Sequence, residues 1–179
     1  MAKFCENCGA RVNDGAKFCN ECGKRLSGSW LYDKFLRRDG RLNRWNFFKR
    51  DILLIFIVVL IGFTVAFTAG IFTQNEKLAV IIAGIVMLAV SSYLEYPLII
   101  RRCHDLKQNS WLHSCISKDD TSVAKFIILL GIISGICYTF EIENSAIDLM
   151  DILNGILNIY LIFAPGEIDT NEYGEPDAC

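Results

Sequence analysis

The chain has 179 residues, of which 53% are hydrophobic and only 21% are charged, and its net charge is −2. The apolar residues are gathered in long blocks instead of being spread through the chain. This pattern excludes an ordinary soluble domain and predicts a protein that is embedded in a membrane.

Positive charge is segregated along the chain. Twelve of the 18 Lys and Arg residues precede Ile52 and four more lie in residues 101–118, whereas Lys77 stands alone in a predicted external loop. Because cytoplasmic segments of membrane proteins carry an excess of Lys and Arg, we expect both termini and residues 101–118 in the cytoplasm. The first 50 residues are polar and lead into a full-length span, so no cleavable signal peptide is expected.

One short cysteine motif occurs twice at the start of the chain. The pattern Phe-Cys-x-x-Cys-Gly is found at residues 4–9 and again at residues 18–23. Each such turn directs two thiolates at one ion, and two turns complete tetrahedral Zn²⁺ coordination. Cytoplasmic thiols stay reduced, which favours metal over disulfides, and the paired ligand spacing favours metal over a redox dithiol. We predict one structural Zn²⁺, bound within residues 1–26 by Cys5, Cys8, Cys19 and Cys22.

This segment resembles the short zinc-ribbon modules at the N-termini of many bacterial membrane and regulatory proteins, where the role is usually interaction or is unassigned. Its basic residues would also suit nucleic acid, but we favour the interpretation that they offset the negative charge of a zinc tetrathiolate. Nucleic acid is therefore not the expected partner. The basic residues are Lys3, Arg11, Lys17, Lys24 and Arg25.

Residues 27–50 link the cysteine module to the first apolar block. Ser27-Gly28-Ser29 predicts a short flexible joint, and residues 30–50 mix aromatic with basic side chains. Such a mixture suits the membrane interface, where rings lie at headgroup depth and cations meet anionic lipid. A nucleic-acid interpretation does not explain why these aromatic residues adjoin a span.

Four apolar blocks are long enough to cross a bilayer, which takes about 20 helical residues. They are residues 52–72, 78–100, 123–140 and 147–163, within a transmembrane helical domain at residues 51–164. Residues 165–179 form a polar, turn-rich tail that we expect in the cytoplasm. The predicted fold class is an all-α polytopic membrane protein with about four transmembrane helices and a small N-terminal zinc ribbon.

Residues 101–111 carry a dense cluster of charge between the second and third blocks. We interpret them as a cytoplasmic hinge between two membrane hairpins. Arg101 and Arg102 are expected to meet phosphate headgroups or carboxylates, and His104 and Asp105 to hydrogen-bond with neighbouring cytoplasmic segments.

The same cluster invites two chemical interpretations, and we favour neither. Cys103, His104 and Asp105 place a nucleophile, a base and an acid side by side, but sequence neighbours project in different directions and do not converge as a triad. A metal site made of Cys103 and His104 with His113 and Cys115 lacks a standard ligand spacing.

Glu95 lies inside the second block, where an acidic side chain is costly, by about 2.5–3.5 kcal/mol at the bilayer centre and less toward the edge. It would suit a proton or ion site. We favour the alternative, in which Glu95 pairs near the cytoplasmic interface with Arg44, Arg101 or Arg102.

A polar stripe runs along the fourth block, because its residues recur at spacings of three, three and four and therefore share one helix face. Such a stripe should face protein or water. It would suit the wall of an ion or solute path. We favour the alternative, in which the two acids lie at the external interface and the asparagines hydrogen-bond to neighbouring helices. The residues are Asp148, Asp151, Asn154 and Asn158.

Three ordered motifs together resemble a known family. They are Gly40-Arg41-Leu42-Asn43-Arg44-Trp45, then Arg101-Arg102-Cys103-His104-Asp105 with Ser110-Trp111, then Pro165-Gly166 with Asn171, Tyr173, Gly174 and Pro176. Over residues 35–177 the chain resembles the bacterial inner-membrane proteins catalogued as domain of unknown function 805. The family usually has an apolar residue in place of Cys103, and it lacks the polar interruption at residues 117–122. The resemblance implies that the three motifs share one membrane face, and it implies no activity.

The sequence favours an inner-membrane interaction or regulatory module with protein partners at the cytoplasmic face. The alternative is a small transporter or channel component, most easily formed as an oligomer. No nucleophile elbow, phosphate-binding glycine loop or open metal site is recognisable, so we do not expect an enzyme. Cys103, Cys115, Cys137 and Cys179 receive no role.

Overall fold

The structure is a computed structural model, and it describes residues 3–5, 8–12, 18–23, 32–106, 111–117, 119–142, 144–171 and 173–174. The predicted joint at residues 27–29, the second part of the predicted hinge at residues 107–110 and the end of the tail at residues 175–179 lie outside this set. The chain divides into two compact units, Met1–Arg37 and Arg38–Cys179.

The N-terminal unit contains a two-stranded antiparallel ladder. Strands β1 (Lys3–Phe4) and β2 (Arg11–Val12) pair with Lys3 opposite Val12 and Phe4 opposite Arg11. The two cysteine turns have the same backbone, since Gly9 N donates to Cys5 O at 2.8 Å and Gly23 N donates to Cys19 O at 2.9 Å. Both glycines have φ near +70°, a left-handed conformation that glycine adopts without steric cost. A short π-helical turn follows at Tyr32–Leu36.

The second unit is helical. Its elements are α1 (Arg44–Thr73), α2 (Glu76–Asp105), α3 (Trp111–Cys115), α4 (Asp120–Thr139) and α5 (Ser145–Phe163). Each of the four long helices begins at an Asn or Asp N-cap whose side chain accepts a backbone N–H of the first turn. At one of these caps, hydrogen bonds from Ser122 and Thr121 hold the pKa of Asp119 below its usual value.

The four long helices are each long and apolar enough to cross a bilayer, so the chain has the makeup of an integral membrane protein. Helices α1 and α2 have 30 residues each and extend beyond the predicted spans. In particular, Arg101 to Asp105 form the last turn of α2 instead of a hinge loop. The helix ends at its C-cap Leu106, whose N–H donates to Arg102 O and Cys103 O.

The most tightly buried core lies where α2 ends, α4 begins and α5 ends. Ile99, Leu112, Val123 and Leu161 are fully buried there. Farther along the bundle, side chains that face outward are strongly exposed, as Phe63 is at 73%, which suits contact with lipid. The core therefore surrounds the end of the bundle that carries the charged motifs.

Candidate functional site

Arg102 is the centre of a polar network at the end of the bundle, and its side chain is completely buried. Its Nε donates to Leu161 O at 2.7 Å, and its Nη2 donates to Ala164 O. These carbonyls belong to the last turn and C-cap of α5, where helical carbonyls lack partners within the helix. Arg102 thus caps the C-terminus of α5, the end at which a cation is electrostatically favoured.

Asp105 is the shared anion of this network and is 3% exposed. Its Oδ2 lies 2.5 Å from Arg102 Nη1, and its Oδ1 lies 3.0 Å from both Nε and Nη2 of Arg41. One carboxylate therefore pairs with two buried guanidinium groups. Burying charge is tolerated when it is paired and hydrogen-bonded in this way.

Arg41 connects the segment before α1 to the tail. Its Nη1 donates to Asp169 O at 2.7 Å and to Gly174 O at 3.4 Å, and its Nη2 donates to Glu167 O. The tail also pairs with the end of α2, since Glu167 N donates to Asp105 O at 2.7 Å. The rigid guanidinium fork suits this convergence of several acceptors.

Arg101 joins the first two motifs through the backbone. Its Nη2 donates to Arg41 O at 3.2 Å, while Leu42 N donates to Arg101 O at 3.0 Å. The expectation that Arg101 and Arg102 meet headgroups or carboxylates is met at Arg102, which pairs with Asp105. Both arginines also donate to protein carbonyls.

His104 extends the network to the tail and to α4. Its Nδ1 lies 3.0 Å from Gly40 O, and its ring stacks on Tyr173 with centroids 3.7 Å apart and planes 4° apart. Because a carbonyl oxygen only accepts, Nδ1 carries the proton. The other nitrogen, Nε2, lies 3.8 Å from Asp120 Oδ2, and Asn171 Nδ2 donates to His104 O at 2.9 Å.

A second histidine meets the same carboxylate. His113 Nε2 lies 2.5 Å from Asp120 Oδ1, and the His113 side chain is buried. Asp120 thus lies between two imidazoles, an arrangement that was not predicted from the sequence. The sequence marks this region only as the polar interruption at residues 117–122, which does not indicate a partner for His104.

Three other motif residues, Pro165, Trp111 and Arg44, have few recorded contacts with this network. Pro165 is exposed directly after the C-cap of α5, where proline often ends a helix. Trp111 packs its ring against Tyr160 with centroids 5.6 Å apart. Arg44 is the first residue of α1 and is exposed. The structure therefore gathers most of the three motifs into one network, with Arg44 at its margin.

The four N-terminal cysteines converge in the other unit. Their sulfur atoms all lie within 4.8 Å of one another, with Cys5 and Cys22 at 3.6 Å and Cys8 and Cys19 at 3.5 Å. Tetrahedral Zn–S bonds of about 2.3 Å place sulfurs about 3.8 Å apart, so this set fits one structural Zn²⁺. Among the described residues this is the only such metal-ligand cluster, and Cys103, His104, His113 and Cys115 form none.

Comparison with known protein families fits both units. Residues 35–175 match the family described as "Protein of unknown function (DUF805)", and residues 4–26 match a zinc-ribbon domain. The chain belongs to the DUF805 family. No curated protein and no solved structure matches it.

The polar residues inside the bundle of the DUF805 domain lie in two places. Glu95 lines a cavity of about 90 Å³ together with Asn154 and Asn158, and Asn158 Nδ2 donates to Asn154 O at 2.9 Å. Asp148 and Asp151 are exposed and line a separate, larger cavity. The predicted stripe is therefore divided between two environments.

Glu95 was expected to pair with Arg44, Arg101 or Arg102, and of these three bases Arg102 has other partners. Arg102 directs its guanidinium at Asp105 and at the carbonyls of Leu161, Ala164 and Leu42. The unpredicted carbonyls at the end of α5 explain the difference, because they compete for the same donors.

Gly166 offers a direct test of the network in the DUF805 domain. A Cβ added there would overlap the Asp105 carboxylate, so we expect Gly166→Ala to destabilise the domain by about 1–3 kcal/mol through overpacking. Chemical unfolding in detergent would measure this. Gly155→Ala is the matched control, since a Cβ at that helical position meets nothing within 4 Å and should be neutral or stabilising. Equal effects of the two variants would contradict the proposed close approach.

Proposed function

We propose that this DUF805 protein is an interaction or regulatory module of the bacterial inner membrane, in which the zinc ribbon binds a cytoplasmic protein partner and the helical domain holds it at the membrane. The observation that carries this proposal is the burial of Arg102 at the centre of the motif network. Arg41, at 3% exposed, and Asp105 are likewise enclosed by protein atoms. Charged groups used in this way fasten segments together and are not presented to a substrate, which argues against an enzyme.

The zinc ribbon, in contrast, has exposed residues that a partner could contact. Cys8 and Cys22 are exposed, and the Phe18 side chain is 57% exposed. A metal-stabilised module that displays an aromatic side chain suits contact with another protein, because exposed aromatic residues are enriched at interfaces.

Charge supports a cytoplasmic position for both termini. The motif end of the bundle carries Arg41, Arg44, Arg101 and Arg102, whereas the opposite turns carry Glu76 and Glu141 with Lys77. Under the positive-inside rule the motif end faces the cytoplasm, and the ribbon and tail lie on that side.

The proposal is tested by in-cell cross-linking and recovery of partners from membranes. The native chain is compared with a Cys19→Ser/Cys22→Ser variant of equal abundance, and Cys115→Ser serves as the control because Cys115 is exposed but lies outside the ribbon. A partner captured by the native chain and the control, but not by the ribbon variant, would support docking through the ribbon. An unchanged partner set, or none, would refute it.

A second candidate function is transport, favoured by the two cavities between the helices. Leu88 lines both cavities. The smaller cavity is also lined by Glu95 and two asparagines, and the larger one by Asp148 and Asp151. Polar groups that line two cavities with a shared wall residue would serve an ion or solute path. Cation flux into liposomes that is lost with Asp151→Asn, but kept with the exposed Glu76→Gln, would support transport. Absence of flux under any gradient would count against it.

A further inference from the structure

The larger cavity lies between α1, α2, α4 and α5 and has a volume of about 770 Å³. Small residues, including Gly62, Ala66 and Ala83, line it, and apolar side chains such as Val59 and Met87 form much of the wall. Its size falls in the range of about 300–1,000 Å³ that is typical of small-molecule sites.

All the charged residues described in the lining of this cavity are negative. Glu141, Asp148 and Asp151 all line it, and no Lys, Arg or His is present among its described lining residues. Glu141 lies in the turn between α4 and α5, and the two aspartates lie in the first turns of α5. The carboxylates are therefore gathered at the end of the cavity that is remote from the motif network.

Apolar wall extends inward from these carboxylates. On α2 the lining runs from Val80 to Leu88, which corresponds to about 12 Å of helix. Tyr138 also lines the cavity, and aromatic rings attract cations. The cavity is thus amphipathic, with carboxylates at one end and apolar side chains along the rest of its wall.

We propose that this cavity is a binding site for a lipophilic organic cation, whose apolar body lies between the helices and whose ammonium or phosphonium charge lies against Asp148 and Asp151. An anion would be repelled by three carboxylates. A lipid chain would lie against the apolar wall but would leave those carboxylates without a counter-charge. The site is distinct from the zinc ribbon, and binding does not require that the cation be transported.

Tetraphenylphosphonium and tetraphenylborate provide a direct test, because they have nearly the same size and shape but opposite charge. The full chain is placed in nanodiscs of zwitterionic lipid, and equilibrium binding of each labelled ion is measured against empty nanodiscs. Saturable binding of tetraphenylphosphonium with a stoichiometry near one is expected, and only unsaturable partitioning of tetraphenylborate. Saturable binding of both ions, or of neither, would overturn the proposal.

Variants separate the cavity from simple surface attraction. Asp148→Asn/Asp151→Asn is expected to weaken tetraphenylphosphonium binding by about tenfold or more, since the cation loses its charge partners. Ala66→Phe places a large side chain in the apolar part of the cavity and should weaken tetraphenylphosphonium binding although every carboxylate is intact. Glu76→Gln lies outside the cavity and should leave this binding unchanged. Equal melting temperatures establish that the variants are folded. Full binding by either cavity variant would overturn the assignment.

Discussion

Replacement of Arg102 by alanine is expected to destabilise the helical domain by about 3–5 kcal/mol, the range found when one partner of a buried ion pair is removed. The variant loses the donors to Leu161 O and Ala164 O and removes one of the two guanidinium groups that pair with Asp105. Buried acceptors without partners then add their desolvation penalty. Reversible unfolding in mixed detergent, followed by circular dichroism, measures the loss.

Arg44→Ala is the matched control for this prediction. Arg44 belongs to the same set of motifs and is also an arginine, but it is exposed at the first residue of α1. Its removal should change the free energy of unfolding by about 0.5 kcal/mol or less. Arg102→Lys keeps the charge but lacks the planar fork, so it should recover only part of the lost stability. Equal stability of Arg102→Ala and Arg44→Ala would show that the network does not hold the domain together.

The parts of the architecture that depend on local pattern could be predicted from the sequence. Apolar runs of sufficient length predict membrane helices without knowledge of their partners, and the structure confirms the fold class. The repeated cysteine turns predict a zinc site because ligand spacing within each turn is local, and the convergence of all four sulfurs confirms it. The family resemblance is likewise confirmed.

The network at the motif end could not be predicted, because its decisive partners are distant in sequence and are mostly backbone carbonyls. Arg102 bonds to Leu161 O, 59 residues away, and Arg41 to Asp169 O, 128 residues away. Every residue has a carbonyl, so composition does not mark these acceptors. A charged run after an apolar block suggests a loop, whereas Arg101 to Asp105 continue α2, and a distant carbonyl on α5 accepts from Arg102.

Removal of zinc is expected to unfold the ribbon and to leave the helical domain intact. The ribbon has one two-stranded ladder with two residues in each strand, which is too little buried structure to offset the entropy of ordering the chain. Metal binding supplies about 10–16 kcal/mol in comparable zinc peptides, so it should account for most of the ribbon's stability. The core of the second unit contains no metal-ligand cluster among its described residues and should keep its helicity after chelation.

Thiol labelling distinguishes this outcome from general unfolding. With zinc bound, Cys5, Cys8, Cys19 and Cys22 should resist a maleimide, and a strong chelator should make these four react. Cys115 is exposed and serves as the internal reference, since it should react in both states, whereas Cys103 is 1% exposed and should react in neither. Because Cys103 adjoins Arg102, its protection reports directly on the motif network. Labelling of Cys103 together with the ribbon cysteines would contradict the separate stability of the two units, and ribbon cysteines that react before chelation would contradict the zinc site itself.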